Sequence, residues 1–303
     1  MCSVSAVQAP MTRPFRFGVN LMAPADRAEW RARCRRAEQL GYDVILVPDH
    51  LDMPAPFPSL VAAAEATERP RVGTFVLNAG FWNPTLLARE TAGTDALTSG
   101  RLELGIGAGY VRTEHERADI PFLTPRGRVD HLRRTVEELD RSLRDEAHRP
   151  APAQRPRVPL LIGGNGDRVL RLAAEYADTV AFAGAAGDKD GSLSVLTADR
   201  LEARVAAYRA FAALRESPAE LNLLLQMVAV TDDRRAAVRP LLEHMPHLSE
   251  DEVLELPIVA VGSVRRIAEQ LREQRERFGF SYLTVLEPAM EAFAPVVAEL
   301  AGT

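Results

Sequence analysis

The chain has 303 residues, 47% of them apolar, and a formal net charge of −5 at pH 7. That length and apolar content can bury one large core, suiting a single α/β barrel as well as two ordinary domains. The acidic balance argues against a nucleic-acid partner, and no apolar run is long enough to cross a bilayer. Cys2 and Cys34 are the only cysteines, so neither a disulfide framework nor a thiolate metal site is available. Met1 to Pro14 lacks the apolar core and cleavage site of a secretory signal, which sets the expectation of a cytoplasmic protein.

Taken in order, Phe15 to Asn20 alternates as a first strand, and Arg27 to Leu40 is helical, ending at Gly41. Asp43 to Pro48 is a continuous apolar strand of the kind buried on both faces in a parallel sheet. Asp49-His50 and a proline-rich loop follow it, then the helix Ser59 to Thr67. Arg71 to Leu77 is the third strand, Asn83 to Leu97 a helix, and Leu102 to Gly107 the fourth strand. Arg126 to Arg144 is a helix whose arginines mix with acids, as on a solvated face. Pro159 to Gly163 is the fifth strand, Arg168 to Tyr176 a helix, and Thr179 to Ala183 the sixth strand. A glycine-rich loop, Gly184 to Gly191, holds the only lysine, Lys189. Ala198 to Leu214 is helical, Leu221 to Val230 the seventh strand, and Arg234 to Glu243 and Val264 to Phe278 are helices. Tyr282 to Leu286 is the eighth strand and Ala289 to Leu300 the closing helix. Eight strands alternating with helices predict one (β/α)8 TIM barrel, and no composition break divides residues 1–303 into domains. A doubly wound open sheet with a subdomain is the alternative.

In such a barrel the chemistry sits at the C-terminal ends of the strands. The decisive stretch is Arg101-Leu102-Glu103-Leu104-Gly105-Ile106-Gly107-Ala108-Gly109-Tyr110, where alternate glycines let backbone approach a flat ring or simply fill a crowded corner. A dinucleotide turn would enter a helix at once, whereas Pro121 and Pro125 intervene here. Gly163-Gly164-Asn165-Gly166 before a helix would present free N–H groups to a phosphate, with Arg168 adding charge. No metal constellation appears: His244 and His247 flank Met245-Pro246, and His115-Glu116 lacks a second histidine.

Four segments carry a resemblance: Val47-Pro48-Asp49-His50, Val72 to Asn78 followed by Asn83-Pro84, Ala96 to Tyr110, and Pro159 to Gly164. In this order they resemble the bacterial luciferase-like superfamily, and more closely its oxidoreductases dependent on the deazaflavin coenzyme F420. The resemblance implies a luciferase-like barrel, usually a homodimer, that holds the deazaflavin at its top and exchanges hydride with a small-molecule or peptide substrate. It also implies a bulge after the third strand with a non-prolyl cis bond at Phe75-Val76. His50 then acts as acid or orienter over the ring, or caps the following loop, and Tyr110 and Glu114 contact substrate or donate a proton, or serve only as surface residues. Asp49 bonds the ring edge or holds the tautomer of His50. Asn78 bonds the ring or forms a turn, and Gly107, Ala108 and Gly109 line one ring face. Gly163, Gly164, Asn165 and Gly166 form the phosphate loop. Lys189 lies where some relatives hold an anion, or is a free loop lysine. The short segment Asp145 to Val158 replaces a longer excursion of relatives and implies a more open mouth. A reductase of activated C=C or C=N bonds is the leading expectation. An FMN-dependent monooxygenase and a non-catalytic relative are the alternatives.

Overall fold

The parallel sheet expected from eight apolar runs closes on itself. In the computed structural model, which describes residues 13–187 and 193–303, β1 (Arg16–Asn20) leads through α1 (Arg27–Gln39) to β2 (Val44–Val47), α2 (Pro56–Ala66) and β3 (Arg71–Thr74). The two-residue β4 (Leu77–Asn78) precedes α3 (Pro84–Leu97), β5 (Leu102–Gly107), the short α4 (Arg112–Arg117) and α5 (Pro125–Arg144). Then come β6 (Leu160–Gly163), α6 (Asp167–Tyr176), β7 (Thr179–Phe182), the hairpin of β8 (Ala185–Gly187) and β9 (Leu193–Val195), and α7 (Ala198–Phe211). The chain ends with β10 (Glu220–Leu225), β11 (Met227–Val230), α8 (Arg234–Leu242), α9 (Glu250–Leu254), β12 (Val259–Gly262), α10 (Val264–Phe278), β13 (Phe280–Leu286) and α11 (Met290–Leu300). Strands neighbour one another as β3-β2-β1-β13-β10-β7-β6-β5, and a β3–β5 pairing closes the ring of eight into an α/β TIM barrel.

Local chemistry sets the helix starts. Asp26, Asn83, Thr124 and Ser263 each accept backbone N–H groups at the first turns of α1, α3, α5 and α10. Gly279, at φ +88°, ends α10 in the left-handed conformation. Helix α6 differs: Gly166 is its N-cap and no side chain caps it.

Three expected segments divide. The third strand breaks after Thr74 and resumes as β4, and the Phe75–Val76 bond between them is cis, as the resemblance implies. The seventh breaks at Gln226, where β11 leaves the barrel to pair in parallel with β12. The glycine-rich loop from Gly184 enters the β8–β9 hairpin, and Lys189 lies outside the described residues. The connection from α5 to β6 also requires a correction. A helix-to-strand connection lies at the N-terminal end of the barrel, so this one cannot cover the mouth. Gln154 within it bonds Asp95, Arg71 and the Leu102 carbonyl at that lower end.

Inside the barrel the side chains are layered. Val44, Leu46, Leu161, Ala181 and Tyr282 form an apolar plug, with the half-buried Phe75 and Val76 packed against it. At the lower end the Arg16 guanidinium stands 4.5 Å from the Tyr282 ring centroid and bridges Glu103 at 2.9 Å and Glu220 at 3.1 Å. Burial pushes the Glu220 carboxyl up despite the pull of Arg16. A cavity of about 480 Å³ opens there, lined by Arg16, Arg71, Glu103, Asp178, Arg215 and Glu220. It lies at the strands' N-terminal ends, opposite the face where barrel enzymes place their chemistry.

Candidate active site

The upper face is built on the break after β3. Thr74 ties the bulge to β5: its hydroxyl donates to the Gly105 carbonyl at 2.7 Å and accepts from the Gly105 N–H at 2.9 Å. A Cβ on Gly105 would stand 2.0 Å from the Thr74 carbonyl oxygen, and one on Gly107 3.0 Å from a Val76 methyl. Gly109, at φ +71°, would place a Cβ 2.0 Å from Asn78 Oδ1. Gly107 and Gly109 are therefore required by the bulge and the β4 turn that press against β5. This departs from the expectation that they line a ring face, and leaves Phe75 and Val76 as the half-exposed apolar shelf over the inner plug. Ala108 is partly buried and packs on the outer core.

A polar wall stands on one side of the shelf. Asp49 and His50 follow β2 after Pro48, and their carboxylate and imidazole do not bond each other. The Asp49 carboxylate accepts from the Asn78 N–H at 3.1 Å and the Trp82 indole N–H at 3.0 Å, both through Oδ2. The imidazole instead meets Glu114 of α4, with Nδ1 2.9 Å and 3.1 Å from the two carboxylate oxygens. A carboxylate only accepts, so Nδ1 carries the proton and Nε2 is left as the basic nitrogen, with no partner among the described residues. Glu114, expected to touch substrate, is the group that orients His50. Tyr110 is 65% exposed, its ring edge-on to His50 at 6.3 Å between centroids. The Asn78 amide is engaged within the wall, accepting from the Gly80 N–H at 3.0 Å and facing His115 at 3.0 Å, so the turn-forming reading describes it.

Burial raises the Asp49 carboxyl above its ordinary 3.8, against the hydrogen bonds from Trp82 and Asn78. The folded state then holds this proton to higher pH than the unfolded chain. The destabilisation is absent at low pH, grows as pH rises from 3.8 through the folded value, and is complete at neutral pH. Asp49→Asn keeps one oxygen for both donors and should raise Tm at pH 7, with the gain vanishing in acid. Calorimetry at the two pH values checks this, and a lower Tm at pH 7 would show that the second carboxylate oxygen makes a contact the amide cannot.

The glycine loop after β6 is partly committed. The Gly164 N–H donates to the Ala181 carbonyl at 3.1 Å, and the Asn165 amide donates to the Ala185 carbonyl. Asn165 Oδ1 is buried without a partner. Gly166 is open, with nothing within 4 Å of a Cβ built on it, and the first N–H groups of α6 follow. Arg168 turns to Asp130 and Asp167 pairs with Arg204, so the expected extra charge from Arg168 is already balanced.

Asn20 is legible in the sequence as a strand end without a role, and Trp82 is not singled out there. Asn20 ends β1, is 4% exposed, donates to the Phe75 carbonyl at 3.4 Å, and has a buried amide oxygen without a partner. Its place at a strand end was the only signal. Glu287, another strand-end residue, accepts from the Met22 and Ala23 N–H groups and pairs with Arg33, which fixes the loop after β1.

The comparisons agree with this geometry. A family model described as luciferase-like monooxygenase matches residues 11–248. The chain belongs to the luciferase-like monooxygenase family. Among luciferase-like relatives it is 32% identical, over 166 residues, to an F420-dependent glucose-6-phosphate dehydrogenase of Intrasporangium calvum, covering 47% of this chain and 50% of the relative. It is 29% identical over 147 residues to the oxygenase component of a flavin-dependent trigonelline monooxygenase of Acinetobacter baylyi, covering 43% and 41%. The chain thus spans half or less of the length of these curated relatives. Among solved structures, an F420-dependent tetrahydromethanopterin reductase from Methanopyrus kandleri superposes with a TM-score of 0.75 at 16% identity, covering 95% of this chain and 99% of that one. An F420-dependent secondary alcohol dehydrogenase in complex with an F420-acetone adduct gives 0.76 at 15% identity, covering 95% and 98%. At these identities the superpositions show the shared fold.

Proposed function

We propose that this protein is an oxidoreductase dependent on coenzyme F420, acting as a reductase of an activated C=C or C=N bond in a small molecule or modified peptide. The observation that carries the reading is His50, oriented by Glu114 through Nδ1 and with no partner for Nε2 among the described residues, just beyond β2, whose Val47 pairs with Thr74 of the strand that runs into the Phe75–Val76 shelf. When bound, the reduced deazaflavin supplies hydride from a ring carbon that, unlike reduced FMN, does not react readily with oxygen.

The chain's own groups fit such a cofactor. Phe75 and Val76 give a flat ring an apolar support, and Asn20 holds the shelf by donating to the Phe75 carbonyl. The open N-terminus of α6 at Gly166 suits a phosphodiester, with N–H groups that no side chain caps. His50 Nε2 holds or delivers the proton that must accompany hydride transfer, and Glu114 fixes the tautomer that leaves this nitrogen available. Tyr110, exposed at the rim, is placed to meet the substrate rather than the cofactor.

The flavin-dependent monooxygenase relative supports a second reading, in which the same shelf holds FMN. Fluorescence quenching separates the two. Titration with reduced F420 and, separately, reduced FMN should show F420 binding at least about tenfold tighter. Tighter FMN binding, with oxygen consumed by the complex, would replace the F420 reading with the monooxygenase one.

A further inference from the structure

The wall that orients His50 contains a second histidine for which the proposed chemistry has no use. His115 is 1% exposed, between the rings of Phe81 (centroids 4.9 Å apart) and Phe122 (5.1 Å), and a Cβ on Gly80 would stand 2.5 Å from its Cε1. Its only polar partner among the described residues is Asn78, whose amide nitrogen lies 3.0 Å from Nε2. The orientation of that amide follows from its other end, since Asn78 Oδ1 must accept the Gly80 N–H. The NH2 group therefore donates to Nε2, and the His115 proton sits on Nδ1, buried without a partner.

The connectivity gives this pair a purpose. Asp49-His50 follows β2 and Glu114-His115 belongs to α4, and the two consecutive pairs are joined twice. His50 meets Glu114 directly, while His115 reaches Asp49 through Asn78, whose side chain faces His115 and whose backbone N–H donates to Asp49. Arg117 of α4 also pairs with Asp52 at 2.8 and 2.9 Å, but both side chains are exposed, so the buried His115–Asn78 contact is the tie beside Glu114 that water does not weaken. The geometry points to His115 as a positioning residue: its Nε2, acting as an acceptor for Asn78, holds α4 so that Glu114 keeps His50 in its working tautomer and direction. This inference rests on the proposed role of His50 for its effect on turnover, but not for its structural content.

Two variants and one spectroscopic measurement test it. His115→Gln retains an acceptor near the position of Nε2, whereas His115→Phe preserves ring packing and removes the acceptor. Long-range ¹H–¹⁵N spectra of the wild-type protein should show His115 protonated on Nδ1. In His115→Phe the His50 nitrogen resonances should move, turnover at saturating reduced F420 should fall about tenfold, and F420 affinity by fluorescence should stay within about threefold. His115→Gln should restore both the His50 resonances and turnover to within about threefold. Protonation of wild-type His115 on Nε2 overturns the inference, as do equal losses in the two variants, which would mark mere packing. If the wild-type protein neither binds nor uses F420, the functional reading fails. The tautomer of His115 and the response of the His50 resonances then still decide the positioning role; if His115→Phe does not fold, the tautomer of wild-type His115 and the His50 resonances of His115→Gln decide it, a displaced His50 signal in His115→Gln overturning it.

Discussion

His50→Ala should lower turnover about 10²-fold or more while changing F420 affinity by less than about tenfold. The split follows from where the imidazole stands. Its Nδ1 is bound to Glu114, so it cannot hold the cofactor through that nitrogen, and the shelf under the ring belongs to Phe75 and Val76. What alanine removes is the free Nε2 and the proton it handles. Glu114→Gln should be milder, because an amide oxygen can still accept from Nδ1. Steady-state rates with saturating reduced cofactor and any accepted substrate give the first quantity, and quenching titrations the second. Full turnover in His50→Ala would end its catalytic assignment and direct attention to Tyr110 as the proton donor.

Gly166→Asp is expected to show the opposite pattern, with F420 affinity lowered about 10²-fold and stability unchanged or slightly higher. Gly166 has ordinary extended dihedrals, φ −75° and ψ 146°, and open space around a new Cβ, so the folded chain accepts a side chain there. Aspartate is a good N-cap, a few tenths of a kcal/mol better than glycine. The same carboxylate takes the first-turn N–H groups and puts a negative charge where a phosphodiester would dock, and two such charges a few ångströms apart repel by about 3 kcal/mol at an effective dielectric near 20. Gly164 is a poorer place for this test. Its φ of +143° and the Val169 methyl 3.0 Å from a built Cβ would confound charge with strain, and its N–H already serves Ala181. Thermal melts alongside the titrations separate the effects, and a stable Gly166→Asp protein with undiminished affinity would remove the phosphate from α6.

The barrel was legible because its strands are short apolar runs and its helices begin with recognisable caps. Where the reading failed, it did so for local reasons. Continuous apolar sequence from Leu221 to Val230 hides a change of partner at Gln226, because β11 is as apolar as β10 although it pairs outside the barrel. The six residues of α4 are too few to show a helical period, and β12 is a four-residue run that the sequence reading left unassigned. The motifs led to Asp49, His50, Asn78 and Glu114 through family resemblance. Their bonding was not legible, because the partner of His50 lies 64 positions away in sequence and only the folded path of α4 brings it near. For the glycines of β5 the sequence left ring approach and a crowded corner open, and the contact that excludes a Cβ comes from Thr74 and Val76, which no spacing rule reports.

The bridge of Arg16, Glu103 and Glu220 has an evolutionary corollary. Arg16, Glu103 and Glu220 tie β1, β5 and β10 together at the end remote from the mouth. Loops above the shelf can then be exchanged without reopening the question of whether the strands close. A scaffold anchored in this way can keep a single ancestry while its mouth diversifies, which accords with the presence of both dehydrogenases and monooxygenases among the relatives of this chain.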